Sequence, residues 1–324
     1  MTDMMKAARE KLASARAGQA RTAAPTATAT TATPKTWLGA PRWATALVGF
    51  FVFLVLYFGV AAWVMDDRRA DTTMRPAPEA LPPGGSATIA YAASLIEQEL
   101  DRGGWTPNDS FLSPTAALTR MPAFQTAVVD MVRAVTNSYT DTQTVEALAR
   151  ASSELAVEPE RGFFNGSFPF IGGSAGARYG NAADELVVYN TALATDQLSR
   201  PGDSETLRAL LETMLTELRR VRGDLDDHIR GEDETGSESL AYEAARGESY
   251  AATLLLRGVR SDFAPLIRER RIGSALVEAI EALDAVAAEN ASFVGTDDLT
   301  SQGYFLASAI DALARAEAEL EPAA

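Results

Sequence analysis

The 324-residue chain contains no cysteine and only one histidine, His228. Without cysteine the protein has no disulfide framework, no thiol nucleophile and no cysteine for lipid attachment. A serine–histidine–aspartate triad would have to use His228, and the glycine-rich stretch 172–176 lacks the lysine and the preceding strand of a phosphate loop. A lone histidine on an apolar helix face is typical of a packed residue. The sequence therefore predicts no catalytic, cofactor or metal site.

Charged residues are absent from the 23-residue run Trp43 to Met65. A helix of this length spans the roughly 30 Å hydrocarbon core of a bilayer, and Trp43 and Trp63 lie near its ends, where indole rings prefer the interface. A cleaved signal peptide would have a shorter apolar region and a shorter leader before it. A buried helix of a soluble domain would be expected to carry charge. The sequence therefore predicts an uncleaved membrane anchor that contacts the lipid bilayer through residues 43–65.

Basic residues predominate before this run, because residues 1–42 contain seven Lys or Arg and two Asp or Glu. The positive-inside rule predicts a cytoplasmic tail, although the Lys and Arg counts next to the two ends of the run hardly differ. The rest of the chain is then periplasmic, on the inner (cytoplasmic) membrane of a Gram-negative bacterium. The whole chain has a net charge of −15 and the tail +5, which leaves −20 beyond the tail. Such an acidic domain is predicted to repel nucleic acid and anionic lipid headgroups.

Composition divides the chain into four parts. Residues 1–42 include a Thr/Ala/Pro-rich stretch that cannot bury a core, so this tail is predicted to be largely disordered. Residues 43–65 form the anchor, and the Pro/Gly-rich residues 66–85 are predicted to be a spacer. Residues 86–324 have the length and the helical periodicity of one acidic domain.

The periodicity after residue 85 predicts an all-α, multi-helix bundle as the ectodomain. Apolar spacing and capping residues predict helices over 86–102, 113–120, 122–155, 175–199, 203–230, 238–259, 265–289 and 297–320. The clearest stripe follows a 4-3-4-3-4-3 spacing and consists of Leu207, Leu211, Met214, Leu218, Val221, Leu225 and His228. A coiled coil with another chain would use such a stripe. Further apolar residues beside it widen the face, which favours packing within the bundle.

Two segments contain unusual strings of residues. The first string contains Gly103-Gly104-Trp105, Pro107-Asn108-Asp109, Ser113-Pro114, Met121-Pro122 and Phe124-Gln125. The second contains Ala245-Arg246-Gly247, Tyr250-Ala251, Leu254-Leu255-Leu256, Val259 and Asp262-Phe263. Both strings resemble segments of a bacterial family known only as domain of unknown function 2333. The resemblance covers roughly residues 45–320. It implies a single-pass inner-membrane protein with a helical domain, and it implies no activity.

These two strings also supply a candidate binding or structural cluster. Trp105, Asn108 and Asp109 lie in a loop bounded by glycine and proline, where a buried indole N–H needs a hydrogen-bond partner. Arg246 and Tyr250 are four residues apart and therefore share one helix face. We expect the Trp105 loop to dock on that helix, with its acidic or amide side chain within hydrogen-bonding reach of the arginine or the tyrosine. The cluster would either hold the fold together or line a cleft.

A candidate interaction patch is present in the loop 162–171, which contains Phe163, Phe164, Phe168 and Phe170. If these side chains are exposed, they form an apolar surface for a protein partner. The alternative is that they close one end of the bundle.

The sequence favours a non-enzymatic interaction or scaffold protein of the cell envelope, with an unidentified protein partner and no nucleic acid. The alternative is an envelope enzyme or small-ligand binder that uses a cleft between the Trp105 loop and the 238–259 helix. An enzyme or binder would have a solvent-open cavity with converging polar groups and a carboxyl of perturbed pKa. A scaffold would have an apolar or charged patch on a packed bundle.

Overall fold

A computed structural model describes residues 42–60, 68–102, 104–109, 119–162, 173–231, 237–291 and 293–320. The regular secondary structure of these residues consists of ten α-helices and two short helical turns, without a strand, which confirms the all-α class. The chain divides into two compact units, residues 1–52 and 53–324.

Helix α1, Arg42–Val55, continues into a short π-helical turn, Leu56–Val60. Most of its large apolar side chains are exposed, and Phe51 is an example at 67%. Among the described residues, no helix combines the length and the apolar character needed to cross a bilayer. Residues 61–65 of the predicted anchor and residues 1–41 of the tail lie outside the described part of the chain.

Nine further α-helices and one 3₁₀ turn, Thr106–Asn108, belong to the described part of the second unit. These helices are α2 Ala87–Asp101, α3 Arg120–Thr142, α4 Glu146–Leu155, α5 Ala175–Ala194, α6 Ser204–Arg230, α7 Glu238–Asp262, α8 Ala264–Arg270, α9 Gly273–Ala288 and α10 Thr296–Ala318. The predicted short helix over 113–120 falls almost entirely on residues outside the described part.

The prediction of one continuous helix over 122–155 is wrong, because the structure divides this stretch into α3 and α4. The backbone becomes extended at Gln143, with φ −140° and ψ 122°. The hydroxyls of Thr140 and Thr142 each donate to the carbonyl four residues earlier. Threonine is β-branched and its hydroxyl competes for backbone hydrogen bonds, so this threonine-rich stretch is a weak point of the helix.

The predicted helix 265–289 is likewise divided, into α8 and α9. Arg271 adopts the left-handed conformation, with φ 60°, and ends α8 after seven residues. This conformation costs about 1 kcal/mol or more for a residue other than glycine. The turn allows the next side chain, Ile272, to be buried close to Ile267, which offsets that cost.

Helix α7 lies at the centre of the second unit, where it packs against α2, α3, α6, α9 and α10. Sixteen of its 25 residues are buried. Two glycines allow neighbouring backbones to come close. A Cβ atom on Gly247 would lie 2.4 Å from the carbonyl oxygen of Phe124, and one on Gly258 would lie 2.5 Å from the Cα of Thr88. These glycines therefore set the distances from α7 to α3 and to α2.

Helix α6 confirms the predicted apolar stripe. The leucines, methionine and valine of the stripe are buried, and α6 packs against α3, α7 and α10 of the same chain. Packing within the bundle is thus confirmed for this helix. His228, the last residue of the stripe, is only half-buried.

Residues 68–85, most of the predicted spacer, lie against the helices. The amide of Asn190 on α5 donates to the carbonyl of Ala80 at 2.6 Å, and its oxygen accepts the backbone N–H of Ser86. Arg257 on α7 donates to the carbonyl of Thr72. Ala80 itself is buried. This stretch of backbone therefore contributes to the folded unit.

Candidate functional site

Trp105 and Asn108 of the predicted cluster are held by the segment that follows α4. The indole Nε1 of Trp105 donates to the carbonyl of Pro159 at 2.8 Å, and its ring meets Tyr179 edge to face, with centroids 4.8 Å apart. The amide of Asn108 donates to the carbonyl of Arg161 at 2.9 Å. The indole N–H is hydrogen-bonded, as expected if the Trp105 loop has a structural role.

Arg246 and Tyr250 lie together on α7, and both contact Phe124 of α3. The guanidinium carbon of Arg246 is 5.7 Å from the centroid of the Phe124 ring, and the ring of Tyr250 stacks on it at 6.0 Å. The hydroxyl of Tyr250 donates to Gln98 of α2 at 2.9 Å. The structure therefore pairs these two residues with α2 and α3, whereas Asn108 pairs with the segment after α4.

Gln125 of α3 connects the Trp105 loop to the helices. Its side-chain oxygen accepts the N–H and the hydroxyl of Thr106, and its amide donates to the carbonyl of Glu99. Asp109 ends the 3₁₀ turn, where its backbone N–H donates to the carbonyl of Thr106. The four phenylalanines of the predicted interaction patch lie outside the described residues: Phe163, Phe164, Phe168 and Phe170.

The stretch 172–176 also contains a Gly-x-Ser-x-Gly string, the pattern in which many serine hydrolases carry their nucleophile. Here Ser174 is the N-cap of α5, and its hydroxyl accepts the backbone N–H of Ala177 at 3.4 Å. Gly176 packs against Trp105, whose Cβ would be 2.9 Å from an added Cβ. Helix capping and close packing account for these residues.

A solvent-open cavity of about 580 Å³ lies between α3, α6 and α7. Pro107 of the Trp105 loop forms part of its wall, so the cavity borders both segments between which the sequence analysis placed a cleft. Its apolar lining includes Pro107, Pro122, Ala123, Ala127, Val221, Leu240, Ala241 and Ala244. Its charged lining includes Asp130, Glu160, Arg220, Asp224 and Glu248. The five residues of the predicted cluster are not among those that form its described lining.

The most informative side chain in the cavity wall is Glu248, which is fully buried. One of its oxygens, Oε2, accepts a hydrogen bond from Arg220 at 2.9 Å. The other, Oε1, is buried without a hydrogen-bond partner among the described residues. Arg220 is shared, because it also bonds Glu217 at 3.0 Å and Asp224 at 3.3 Å. A buried carboxyl oxygen without a donor is costly, so it points to a ligand or a proton at this position.

Two carboxyls of the cavity have raised pKa values. Burial raises the pKa of Glu248 well above its usual value of 4.5, against the attraction of Arg220 and with further repulsion from nearby carboxylates. Burial also raises the pKa of Asp130, although Arg133 and Arg220 oppose this. The described lining contains four carboxyls and one arginine, so the cavity has an excess of negative charge when the carboxyls ionise.

His228 lies at the rim of the same cavity. Its Nδ1 is 2.8 Å from the carbonyl oxygen of Asp224, which assigns the proton to Nδ1 in the neutral ring. This arrangement fixes the ring on its own helix. Of the two lining residues His228 and Glu248, the histidine is half-buried and the glutamate is fully buried.

Comparison with known protein families, with curated proteins and with solved structures finds no match for the chain.

The residues that form this cavity were not predicted as a site from the sequence. Glu248 lies in the stretch 244–256, in which Arg246 is the only other charged residue. A charged residue within such a run indicates either a buried ion pair or a functional group. The partner, Arg220, belongs to the exposed face of α6, and no local pattern links it to α7.

Proposed function

We propose that the protein binds a small organic cation, an amine with an apolar body, in the cavity between α3, α6 and α7. The observation that carries the proposal is Glu248, a fully buried carboxyl that lines the cavity and has one oxygen without a hydrogen-bond donor among the described residues. An ammonium group would supply that donor and would pair with the excess negative charge. The alanine and proline side chains of the wall would cover the apolar part of the ligand.

Binding of an amine would release a proton. Burial favours the protonated form of Glu248 in the ligand-free protein. A bound ammonium stabilises the ionised form, so it lowers the pKa of this carboxyl and expels the proton. Net proton release is therefore the expected signature of this site. A neutral ligand of the same shape would not produce it.

Isothermal titration calorimetry of the full chain in neutral detergent tests the proposal, with hexylamine and phenethylamine as probes and hexanol as the neutral control. Titration at pH 7 in two buffers of different ionisation enthalpy measures the released protons. Glu248→Gln should weaken amine binding at least tenfold and abolish proton release. The matched control is Glu217→Gln, which removes another partner of Arg220 outside the described lining of the cavity. Equal affinity of the two variants, or no binding of either amine, would reject the proposal.

We also propose that residues 43–65 anchor the protein in the bacterial inner membrane, with residues 1–42 in the cytoplasm and the helical domain in the periplasm. The uncharged run and the exposed apolar side chains of α1 support this proposal. So does the resemblance to domain of unknown function 2333. A periplasm-specific reporter fused after Ala324 should be active. A cytoplasm-specific reporter that is active at the same position would reverse the orientation.

An interaction or scaffold role is the second candidate function, and the same domain can serve both. Phe293 and Tyr304 support it, because these aromatic side chains are 93% and 71% exposed immediately before and within α10. A protein partner that covers them would be lost when both are changed to serine. Crosslinking in membranes followed by affinity purification of wild type and of the double variant measures this. Recovery of the same proteins with both would reject these residues as the contact.

A further inference from the structure

An arginine cluster lies on another side of α7, around the buried carboxyl of Glu243. Three guanidinium groups contact this carboxyl: Arg246 at 2.7 Å, Arg120 at 2.6 Å, and Arg68. Glu243 is fully buried, and each arginine side chain is less than one-fifth exposed. Among the described residues, this cluster therefore places three positive charges around one negative charge.

A second cavity, of about 380 Å³, opens onto this cluster. Arg68, Arg69 and Arg246 contribute to its wall beside the C-terminal end of α9. Asp71 is the one carboxylate in the described lining, and it already accepts hydrogen bonds from the N–H and the hydroxyl of Thr73. Among the described lining residues the arginines therefore outnumber the carboxylate by three to one, in contrast to the cavity beside Glu248.

Arg246 carries a donor that has no acceptor among the described residues. Its side chain is 3% exposed. Nη1 donates to Glu243, and Nη2 donates to the carbonyls of Arg68 and Ala287. Its Nε is buried without a hydrogen-bond partner among the described residues. An unpaired buried donor of a charged group is costly, whereas an anion in the cavity beside it would accept this hydrogen bond.

We propose that this cavity binds a phosphate group, held by Arg246 and Arg69. Guanidinium groups match phosphate oxygens in geometry and charge, and several arginines around one cavity provide both donors and net charge. Two sources can supply the phosphate. One is a soluble phosphate monoester. The other is the headgroup of an anionic phospholipid.

Arg68 is close in the chain to the proposed anchor, so a lipid headgroup is one source of the phosphate. Arg68 follows Met65, the last residue of the proposed anchor, by three residues. Three extended residues span about 10 Å at most. If residues 43–65 span the membrane, this chain connection keeps Arg68 within about that distance of the end of the anchor. This source depends on the proposed membrane anchor, whereas the soluble source does not.

The test uses the full chain, labelled with ¹⁵N-arginine and purified in neutral detergent. Glycerol 3-phosphate is the soluble probe, dihexanoyl phosphatidylglycerol is the anionic lipid probe, and dihexanoyl phosphatidylcholine is the zwitterionic control. The Nε–H signal of Arg246 is identified as an exchange-protected arginine signal that is lost in Arg246→Lys. We expect this signal to shift with one of the two anionic probes. A shift at lower concentration of glycerol 3-phosphate assigns the soluble source, and a shift at lower concentration of phosphatidylglycerol alone assigns the lipid source.

Two variants of exposed arginines provide a test that does not depend on whether Arg246→Lys folds. Arg69→Ala removes one wall of the cavity and should weaken binding of the effective probe about tenfold. Arg75→Ala is the matched control, because Arg75 is also exposed in the same segment and lines a different cavity. Calorimetry measures both variants even if Arg246→Lys does not fold. Glu248→Gln should leave this binding unchanged, so a failed amine site does not affect the result. No shift with either anionic probe, or equal affinity of the Arg69 and Arg75 variants, would overturn the proposal.

Discussion

Two glutamates on α7 are both fully buried, yet they lie in opposite charge environments. Glu243 is ion-paired with three arginines, whereas Glu248 has one arginine that it shares with other carboxylates. Five residues of α-helix turn through about 500°, so the two side chains leave the helix about 140° apart. Burial of a carboxyl therefore does not by itself decide its role. The side chains that other helices bring to it decide whether it is a structural counter-ion or a group available to a ligand.

Glu243→Gln should have the largest effect, because it leaves three largely buried guanidinium groups without their counter-charge. We expect the free energy of unfolding to fall by about 3–5 kcal/mol. Urea unfolding of the full chain, followed by circular dichroism, measures this. Glu278→Gln is the control, since Glu278 pairs with Arg315 at the surface and its loss should cost at most about 0.5 kcal/mol. A loss below about 1 kcal/mol for Glu243→Gln would show that Glu243 is not the structural counter-ion of these arginines.

Gly247→Ala tests whether the two sides of α7 depend on one close helix contact. Gly247 lies between the two glutamates and touches the backbone of Phe124, so an added methyl must push α7 away from α3. We expect a loss of about 1–3 kcal/mol and weaker amine binding, because α3 forms a wall of that cavity. Gly303→Ala on α10 has nothing within 4 Å of the new Cβ and should stabilise by up to about 1 kcal/mol. Equal stability of the two variants would show that the contact is not limiting.

Glu248→Gln should have the smallest effect, and its sign should depend on pH. The pKa of Glu248 is higher in the folded than in the unfolded protein, so the folded state holds a proton between these two pKa values. The stability of the wild type therefore falls as pH rises through that interval, which begins near the usual value of 4.5. The glutamine variant has no titrating group at this position, so it should be the more stable of the two proteins at pH 8.

The difference between these two proteins should shrink as the pH falls below 4.5, because the carboxyl then becomes protonated in the unfolded state as well. Thermal unfolding of both proteins from pH 4 to pH 8 measures the difference. A wild type that is more stable than the variant at pH 8 would mean that Glu248 is a satisfied ion pair, like Glu243.

The net charge of the chain and the local arrangement of its charges lead to different expectations for anion binding. The charge of −20 beyond the tail predicts repulsion of anionic headgroups. The cluster around Glu243 places three guanidinium groups within hydrogen-bonding distance of one carboxyl. At physiological ionic strength, charges more than about 8 Å apart are largely screened, so the local excess governs a ligand bound inside the cavity.

Helix positions could be predicted in large part from the sequence, whereas two breaks and the candidate sites could not. The stripe from Leu207 to Leu225 is local information, since its spacing alone determines which face of α6 is buried. The break at Gln143 depends on competition between threonine side chains and the helix, and the bend at Arg271 depends on where Ile272 is buried.

The all-α class, the buried face of α6 and the uncharged run 43–65 follow from the sequence alone, because each depends on residues that are neighbours along the chain. The charges around the glutamates of α7 depend instead on tertiary packing. Arg68 and Glu243 are 175 residues apart, and Arg220 and Glu248 are 28 apart on different helices. Such pairs form only when packing brings their helices together. Periodicity shows that a helix is buried, and it does not show which side chains it will meet.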